Sequence, residues 1–411
     1  MDIPGLPARR AALNMIDAVL RRGETLEQAA GASLVRVRGE PDRALARAIA
    51  SEALRWRVDF DELIDSATRL RLPDDAKPRA VLAIMLAQVL RLDTPPHAAI
   101  ATGLPLLMGG PRRLAHGVFT TITKRGAILP ATPTLPEGPR ERWGDRAQAI
   151  AAALAEPPPL DLTLRDPAAT AAWTETLGGV SLAPGHVRLP RGGAIDALPG
   201  YRDGAWWVQD LAATLPGRLL GQGEGRRVLD LCAAPGGKTL QLAAAGWHVT
   251  ALDISKRRLE RVQDNLARTN LLADIVVADA LTWEPDQRFD AVLLDAPCTA
   301  TGTCRRHPDV LHRIGPRQIT DMAALQARLL ERATGWLTPG GQLVYAVCSL
   351  EPEEGEAQAA TVALTPNPIR AEELPAGLMP TSQGWLRTDP GMIAEHGGMD
   401  GFFVARWRAA S

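Results

Sequence analysis

A chain of 411 residues can hold two or three domains, each with a core of its own. Hydrophobic residues at 46% and charged ones at 23% exclude a disordered or fibrous chain, and no apolar run has membrane-spanning length. The net charge of −1 conceals a basic first third, because residues 1–127 carry 19 Lys and Arg against 14 Asp and Glu.

Residues 1–130 read as an all-α domain. Leu13, Ile16, Val19 and Leu20 keep helical spacing, as do Leu45, Ala48, Ile49 and Leu54. The run from Ala80 to Leu92 is apolar nearly all round, which predicts a helix at the centre of a bundle. Shorter helices are expected near 98–107 and 114–123. The positive excess suits contact with RNA phosphates, although solvated helix faces give the same count. Residues 1–10 lack the hydrophobic centre of a signal peptide, so a cytoplasmic protein is expected.

Pro130, Pro133, Pro136 and Pro139 break the helical pattern and mark 131–156 as a linker with a short helix. Residues 157–208 form a small α/β subdomain, opened by the strict alternation Leu160-Asp161-Leu162-Thr163-Leu164. The pair Trp206-Trp207 closes it, suited to a core and, less often, to stacking on bases.

From 209 to 411 strands and helices alternate. Strands are predicted at 227–231, 248–253, 274–278, 289–295 and 342–347, with helices at 255–269 and 318–337. This is an α/β, doubly wound sheet, whose ligands belong at the carboxyl ends of the strands. The strand at 227–231 runs into Cys232-Ala233-Ala234-Pro235-Gly236-Gly237-Lys238-Thr239, a Gly-rich turn that opens a helix. Asp253 ends the next strand, where a nucleotide-binding unit places the acceptor for its ribose hydroxyls. Asp279 and Asp295 end later strands. The four cysteines show neither disulfide nor zinc spacing, so no metal is expected and the thiols are free for chemistry. Two of them, Cys298 and Cys348, follow strand ends, where two thiols can converge on one pocket.

These motifs resemble the RsmB/Sun family of RNA cytosine-5 methyltransferases. The resemblance rests on Cys232–Thr239, on Asp295-Ala296-Pro297-Cys298 followed by Thr301-Gly302 and Arg305–Asp309, and on Cys348-Ser349-Leu350 with Glu353-Glu354. Gln209-Asp210 and Asp400-Gly401-Phe402-Phe403 are similar to its first and last motifs, and the helical first third is similar to a NusB-like RNA-binding domain. The resemblance implies a Rossmann-like domain that transfers a methyl group from S-adenosyl-L-methionine to C5 of a cytosine in RNA, ribosomal RNA of the small subunit first and tRNA second. It implies Cys348 as nucleophile, Cys298 as the residue assisting release and Asp295 as the carboxylate holding the cytosine edge. Lys238 lines the cofactor loop or faces the base. Cys232, Ala233, Ala234, Pro235, Gly236, Gly237 and Lys238 would wrap the methionine and ribose, Asp253 the ribose hydroxyls and Asp279 the adenine, with Asp295 lining the same pocket. Cys304 matches no motif. Thr299-Ala300 stands where the family usually has Ser-Gly, Val347 where Thr is common, and Asp166 where Asn is usual.

Three other readings compete. Gly237-Lys238-Thr239 resembles the end of a phosphate-binding P-loop, as in an ATPase, but that pattern needs Gly where Cys232 stands. A non-catalytic RNA-binding scaffold leaves the intact Asp and Cys motifs without a use. Methylation of an exocyclic amine usually carries Asn/Asp-Pro-Pro-aromatic, not Asp-Ala-Pro-Cys. A monomer without membrane contact is expected.

Overall fold

Helical periodicity becomes helices wherever an apolar stripe finds a partner. The computed structural model describes residues 3–411. These group into two units, one of residues 1–156 with 304–314, the other of 157–303 with 315–411.

The first unit is helical: α1 (Leu6–Arg22), α2 (Leu26–Ser33), α3 (Glu40–Arg55), α4 (Arg57–Ser66), α5 (Lys77–Arg91), α6 (Pro96–Gly103), α7 (Gly109–Lys124), α8 (Glu137–Trp143) and α9 (Ala147–Leu154). Helix α5 is the central one: Val81, Leu82, Ile84, Met85 and Leu86 are wholly buried in the core shared with α1, α3 and α7. At the end of α6 a Cβ on Gly103 would lie 2.5 Å from Met85 Cγ, so any larger residue there would force the buried Met85 side chain to shift. Residues 131–156 pack as part of this unit. Thr134 donates through its hydroxyl and its backbone N–H to the Asp59 carboxylate, at 2.7 and 3.0 Å.

In the second unit, β1 (Leu160–Leu164), α10 (Thr170–Leu177), β2 (His186–Leu189) and β3 (Trp206–Val208) build a three-stranded antiparallel sheet in the order β2-β1-β3. Trp206 and Trp207 are both buried, Trp206 among Leu162, Leu164 and Val187 and Trp207 beside Leu240 and Leu259. Asp166 accepts from the Ala168 N–H at 2.9 Å and shapes the turn after β1.

The chain then runs α11 (Leu211–Arg218), β4 (Arg227–Leu231), α12 (Gly237–Ala244), β5 (His248–Asp253), α13 (Lys256–Thr269), β6 (Asp274–Val277) and β7 (Phe289–Asp295). After α14 (Val310–Arg313), which belongs to the helical unit, come α15 (Pro316–Gly335), β8 (Leu337–Val347), α16 (Glu356–Ala359), β9 (Thr365–Pro366), β10 (Leu386–Arg387) and β11 (Phe403–Arg408). The large sheet has the order β10-β11-β8-β7-β4-β5-β6, with β9 beside β11. Strands β6, β5, β4, β7 and β8 are parallel, and β11 joins β8 antiparallel. Strand order reverses between β4 and β7, the switch point at which such sheets bind ligands. Strand β8 begins before the predicted start at Gln342, because an irregularity in its pairing with β7 lets the chain re-enter the ladder at Leu337.

Candidate active site

The site is assembled at the carboxyl ends of β4, β5, β7 and β8. Strand β4 stops because Cys232 adopts φ +61° and turns the chain out of the sheet. Gly236, at φ +105° with a hypothetical Cβ 3.0 Å from Val262, then starts α12. Asp253 is 2% exposed, and its two oxygens accept from the Ala234 N–H at 3.2 Å and the Ser255 N–H at 2.9 Å. One carboxylate thus holds the turn after β4 and the start of α13, with lone pairs left for a ribose. Arg258 stands 3.5 Å from it. Asp279, beyond β6, is exposed and accepts from the Leu281 N–H at 2.9 Å. These residues fit the adenosine and methionine portions of a sulfonium cofactor: a tight glycine-bearing turn, a buried carboxylate at β5 and an exposed one past β6 follow one another along the sheet edge.

Lys238 lies on the first turn of α12. Its Nζ donates to Asp295 Oδ2 at 2.7 Å and stands 5.2 Å from the centre of the Phe402 ring. Burial works against its charge, but Asp295, then Cys348 and Asp230, outweigh this and raise its pKa, so it stays an ammonium. The P-loop alternative fails here, because this lysine is tied to a carboxylate instead of facing an open phosphate site.

Cys298 Sγ and Cys348 Sγ stand 3.4 Å apart. Their loops are knitted together: the Gly302 N–H donates to the Cys348 carbonyl at 3.0 Å, and the Gly401 N–H donates to the Gly302 carbonyl at 2.8 Å. The hydrogen bond to Cys348 and burial raise the pKa of Cys298 well above that of an ordinary thiol. Burial, with Asp253, Asp295 and Asp230 nearby, pushes the Cys232 thiol up to about 12, so it is no nucleophile. Cys304 is fully buried and belongs to the helical unit. Beside Lys238 and Asp295 opens a cavity of about 470 Å³, walled by Tyr201, Trp207, Asn265 and Arg268.

The sequence reading did not single out Asp230, although an acid inside an apolar strand is detectable, and it quoted Thr299 and Phe402 only as parts of motifs, without a role. Among the described residues no group of three or more His, Cys, Asp or Glu could hold a metal ion, and no helix is long and apolar enough to cross a membrane.

An open sheet with this order, a Gly-rich turn at β4 and an acid ending β5 define a Rossmann-like methyltransferase. The family model for the 16S rRNA methyltransferase RsmB/F matches residues 218–408, and that of the NusB family matches residues 6–106. The chain is 34% identical over 434 aligned residues to ribosomal RNA small subunit methyltransferase B of Klebsiella pneumoniae, covering 97% of each. It is 36% identical to the protein of that name from Xanthomonas campestris, over 86% of this chain and 87% of the other. The crystal structure of PH0851 superposes with a TM-score of 0.72 at 22% identity, covering 99% of both chains, which is a likeness of fold. The chain belongs to the RsmB/F family of 16S rRNA methyltransferases.

Proposed function

We propose that the protein methylates C5 of a cytosine in small-subunit ribosomal RNA, with S-adenosylmethionine as donor. The observation that carries this reading is the pair of thiols 3.4 Å apart beside the Lys238–Asp295 ion pair. C5 of cytosine is too weak a nucleophile to attack a methyl group unaided. The Cys348 thiolate adds to C6, and the electron pair moves to C5, which then bonds to the methyl carbon. S-adenosylmethionine, when bound, supplies that electrophilic methyl group. A water molecule acting as base takes the C5 proton, the electron pair returns to the ring, the C6–S bond breaks, and Cys348 leaves as thiolate. Cys298, in contact with the leaving sulfur, assists this last step. Asp295 meets the N3/N4 edge of the base, and Lys238 balances its charge. The turn at 232–238 with Asp253 and Asp279 holds the cofactor. The cavity beside Lys238 gives an RNA strand aromatic and cationic walls.

Substitution of each thiol tests the assignment. Cys348→Ala abolishes methyl transfer and keeps S-adenosylhomocysteine binding. Cys298→Ala still adds and methylates, and accumulates as a denaturant-resistant adduct with methylated RNA, seen as a slower band on a denaturing gel. A covalent band from Cys348→Ala with none from Cys298→Ala would reverse the two roles. Tight ATP binding with no S-adenosylhomocysteine signal would end the methyltransferase reading.

A further inference from the structure

Glu354 has no exposed surface, yet it carries a carboxylate. Its Oε2 accepts from the Thr299 N–H at 2.9 Å and from Gln326 Nε2 at 2.9 Å. Its Oε1 accepts from the Ser349 hydroxyl at 2.7 Å and from the Thr299 hydroxyl. Thr299 follows Cys298 and Ser349 follows Cys348, so one carboxylate grips the residue after each reacting thiol. Gln326, on α15, also donates to the Pro297 carbonyl at 2.9 Å, and the Tyr345 hydroxyl on β8 donates to the backbone carbonyl of Glu354 at 2.6 Å. The Ser349 hydroxyl stands 3.3 Å from those of both Thr299 and Thr301.

We propose that Glu354 is a positioning residue of the two-thiol site, clamping the Cys298 and Cys348 loops in register and setting a negative charge behind Cys298. The inference rests on the reading of these cysteines as the reacting pair. All four donors to the carboxylate are neutral: one backbone amide, two hydroxyls and one side-chain amide. Burying a carboxylate among neutral groups is costly, and an apolar side chain of similar size would pack there more cheaply. The four hydrogen bonds occupy both carboxylate oxygens and tie them to the two loops.

Its effect on the thiols is directional. Cys298 is held protonated first by its hydrogen bond to Cys348, then by burial, with the Cys348 and Glu354 charges adding to these. The Lys238 ammonium, for its part, interacts with Cys348. The Glu354 charge thus adds to what keeps the proton on Cys298, while the Lys238 ammonium acts on Cys348. Position at a strand end leaves the two cysteines equivalent, and this charge gradient makes them different. The clamp also fixes the sulfur–sulfur distance, so the Cys298 thiol stands within hydrogen-bond reach of the thiolate that must leave.

The test uses the full chain without RNA or cofactor. Iodoacetamide labelling of Cys298 is followed by peptide mass spectrometry against pH in a Cys348→Ser background, which keeps a hydrogen-bond acceptor beside it. Adding Glu354→Gln should make Cys298 react at least tenfold faster at pH 8. In the chain with both cysteines, Glu354→Gln should lower kcat for methyl transfer at least tenfold and leave KM for S-adenosylmethionine within twofold. An unchanged Cys298 profile in a folded Glu354→Gln protein overturns the inference. If that variant does not fold, Thr299→Val removes a donor and leaves the charge. Diamide-driven formation of the Cys298–Cys348 disulfide should then slow at least fivefold, and an unchanged rate overturns the clamp. Labelling needs no methyl transfer, so its failure in an active enzyme rejects the clamp alone, whereas a wild type without methyl transfer rejects the function.

Discussion

Asp230 sits in β4 between Leu229 and Leu231, wholly buried. The Thr239 hydroxyl donates to its Oδ2 at 2.6 Å, and its Oδ1 has no partner among the described residues. Burial above all raises its pKa to about 7, with Asp295 and Asp253 adding to the effect. Below pH 4 the carboxyl is protonated in both folded and unfolded chains and costs nothing. Between pH 4 and pH 7 the unfolded chain ionises and the folded one does not, so stability falls by about 1.4 kcal/mol per pH unit. Above pH 7 the loss is complete and constant. Asp230→Asn should therefore gain on the wild type by about 2–3 kcal/mol between pH 5 and pH 7, read from urea unfolding at both pH values. A difference that stays constant with pH would show that the acid titrates normally. Ala300 is instructive in another way. Its φ of +57° lies in the left-handed region, which suits the Gly of the motif it resembles, while Thr299 supplies a hydroxyl as that motif's Ser would. The sequence carried that departure in plain view, but its meaning needed the backbone angle. The role of Glu354 was hidden for a similar reason, since spacing along a chain does not reveal which donors converge on one carboxylate.

At the scale of elements, buried parallel strands were the most legible part. The strands at 227–231, 248–253 and 289–295 keep their expected bounds, because a strand covered on both faces is a continuous apolar run ended by polar or turn residues. The two-residue strands β9 and β10 have no period to detect. Nor did alternation in β1 reveal that Asp161, fully buried, ties the small sheet to α11. Arg188 donates to it through Nε at 2.7 Å and Nη2 at 2.8 Å, and the Leu211 N–H donates at 2.9 Å. Burial opposes the charge of Asp161, but Arg188 outweighs it and holds the carboxyl far below its usual range. Arg188 also donates to the carbonyls of His396 and Gly398, both at 2.8 Å, next to the Asp400–Phe403 motif. Arg188→Met should cost about 3–5 kcal/mol in urea unfolding, because it takes the guanidinium from a buried carboxylate that keeps only the Leu211 N–H and His186 beside it. Adding Asp161→Leu should recover much of this. A single-variant loss under about 1 kcal/mol would mean that water replaces the pair.

On the scale of the whole molecule, the linker that prolines suggested at 131–156 is packed structure, and the family segment Arg305–Asp309 belongs to the helical unit. Within that unit α14 packs on α1, and the Arg305 carbonyl accepts from Arg55 at 3.1 Å. Cys304, Arg305, Val310 and Leu311 are almost fully buried. No periodicity could announce this, since the segment is short and its partners lie far off in sequence. A chain beginning at Pro157 should thus be cut by trypsin within 304–314, at Arg306 and Arg313, much faster than the full-length protein. Equal resistance would show that the segment holds its structure alone. The same arrangement bears on how the protein is made. Residues 1–156 leave the ribosome first, but one piece of their unit is encoded beyond residue 303. At about 5–20 residues per second, synthesis of the intervening stretch takes on the order of ten seconds or more. Through that interval the nascent helical unit waits with the seat of its last segment unfilled, and it is completed only once the chain has passed Cys298.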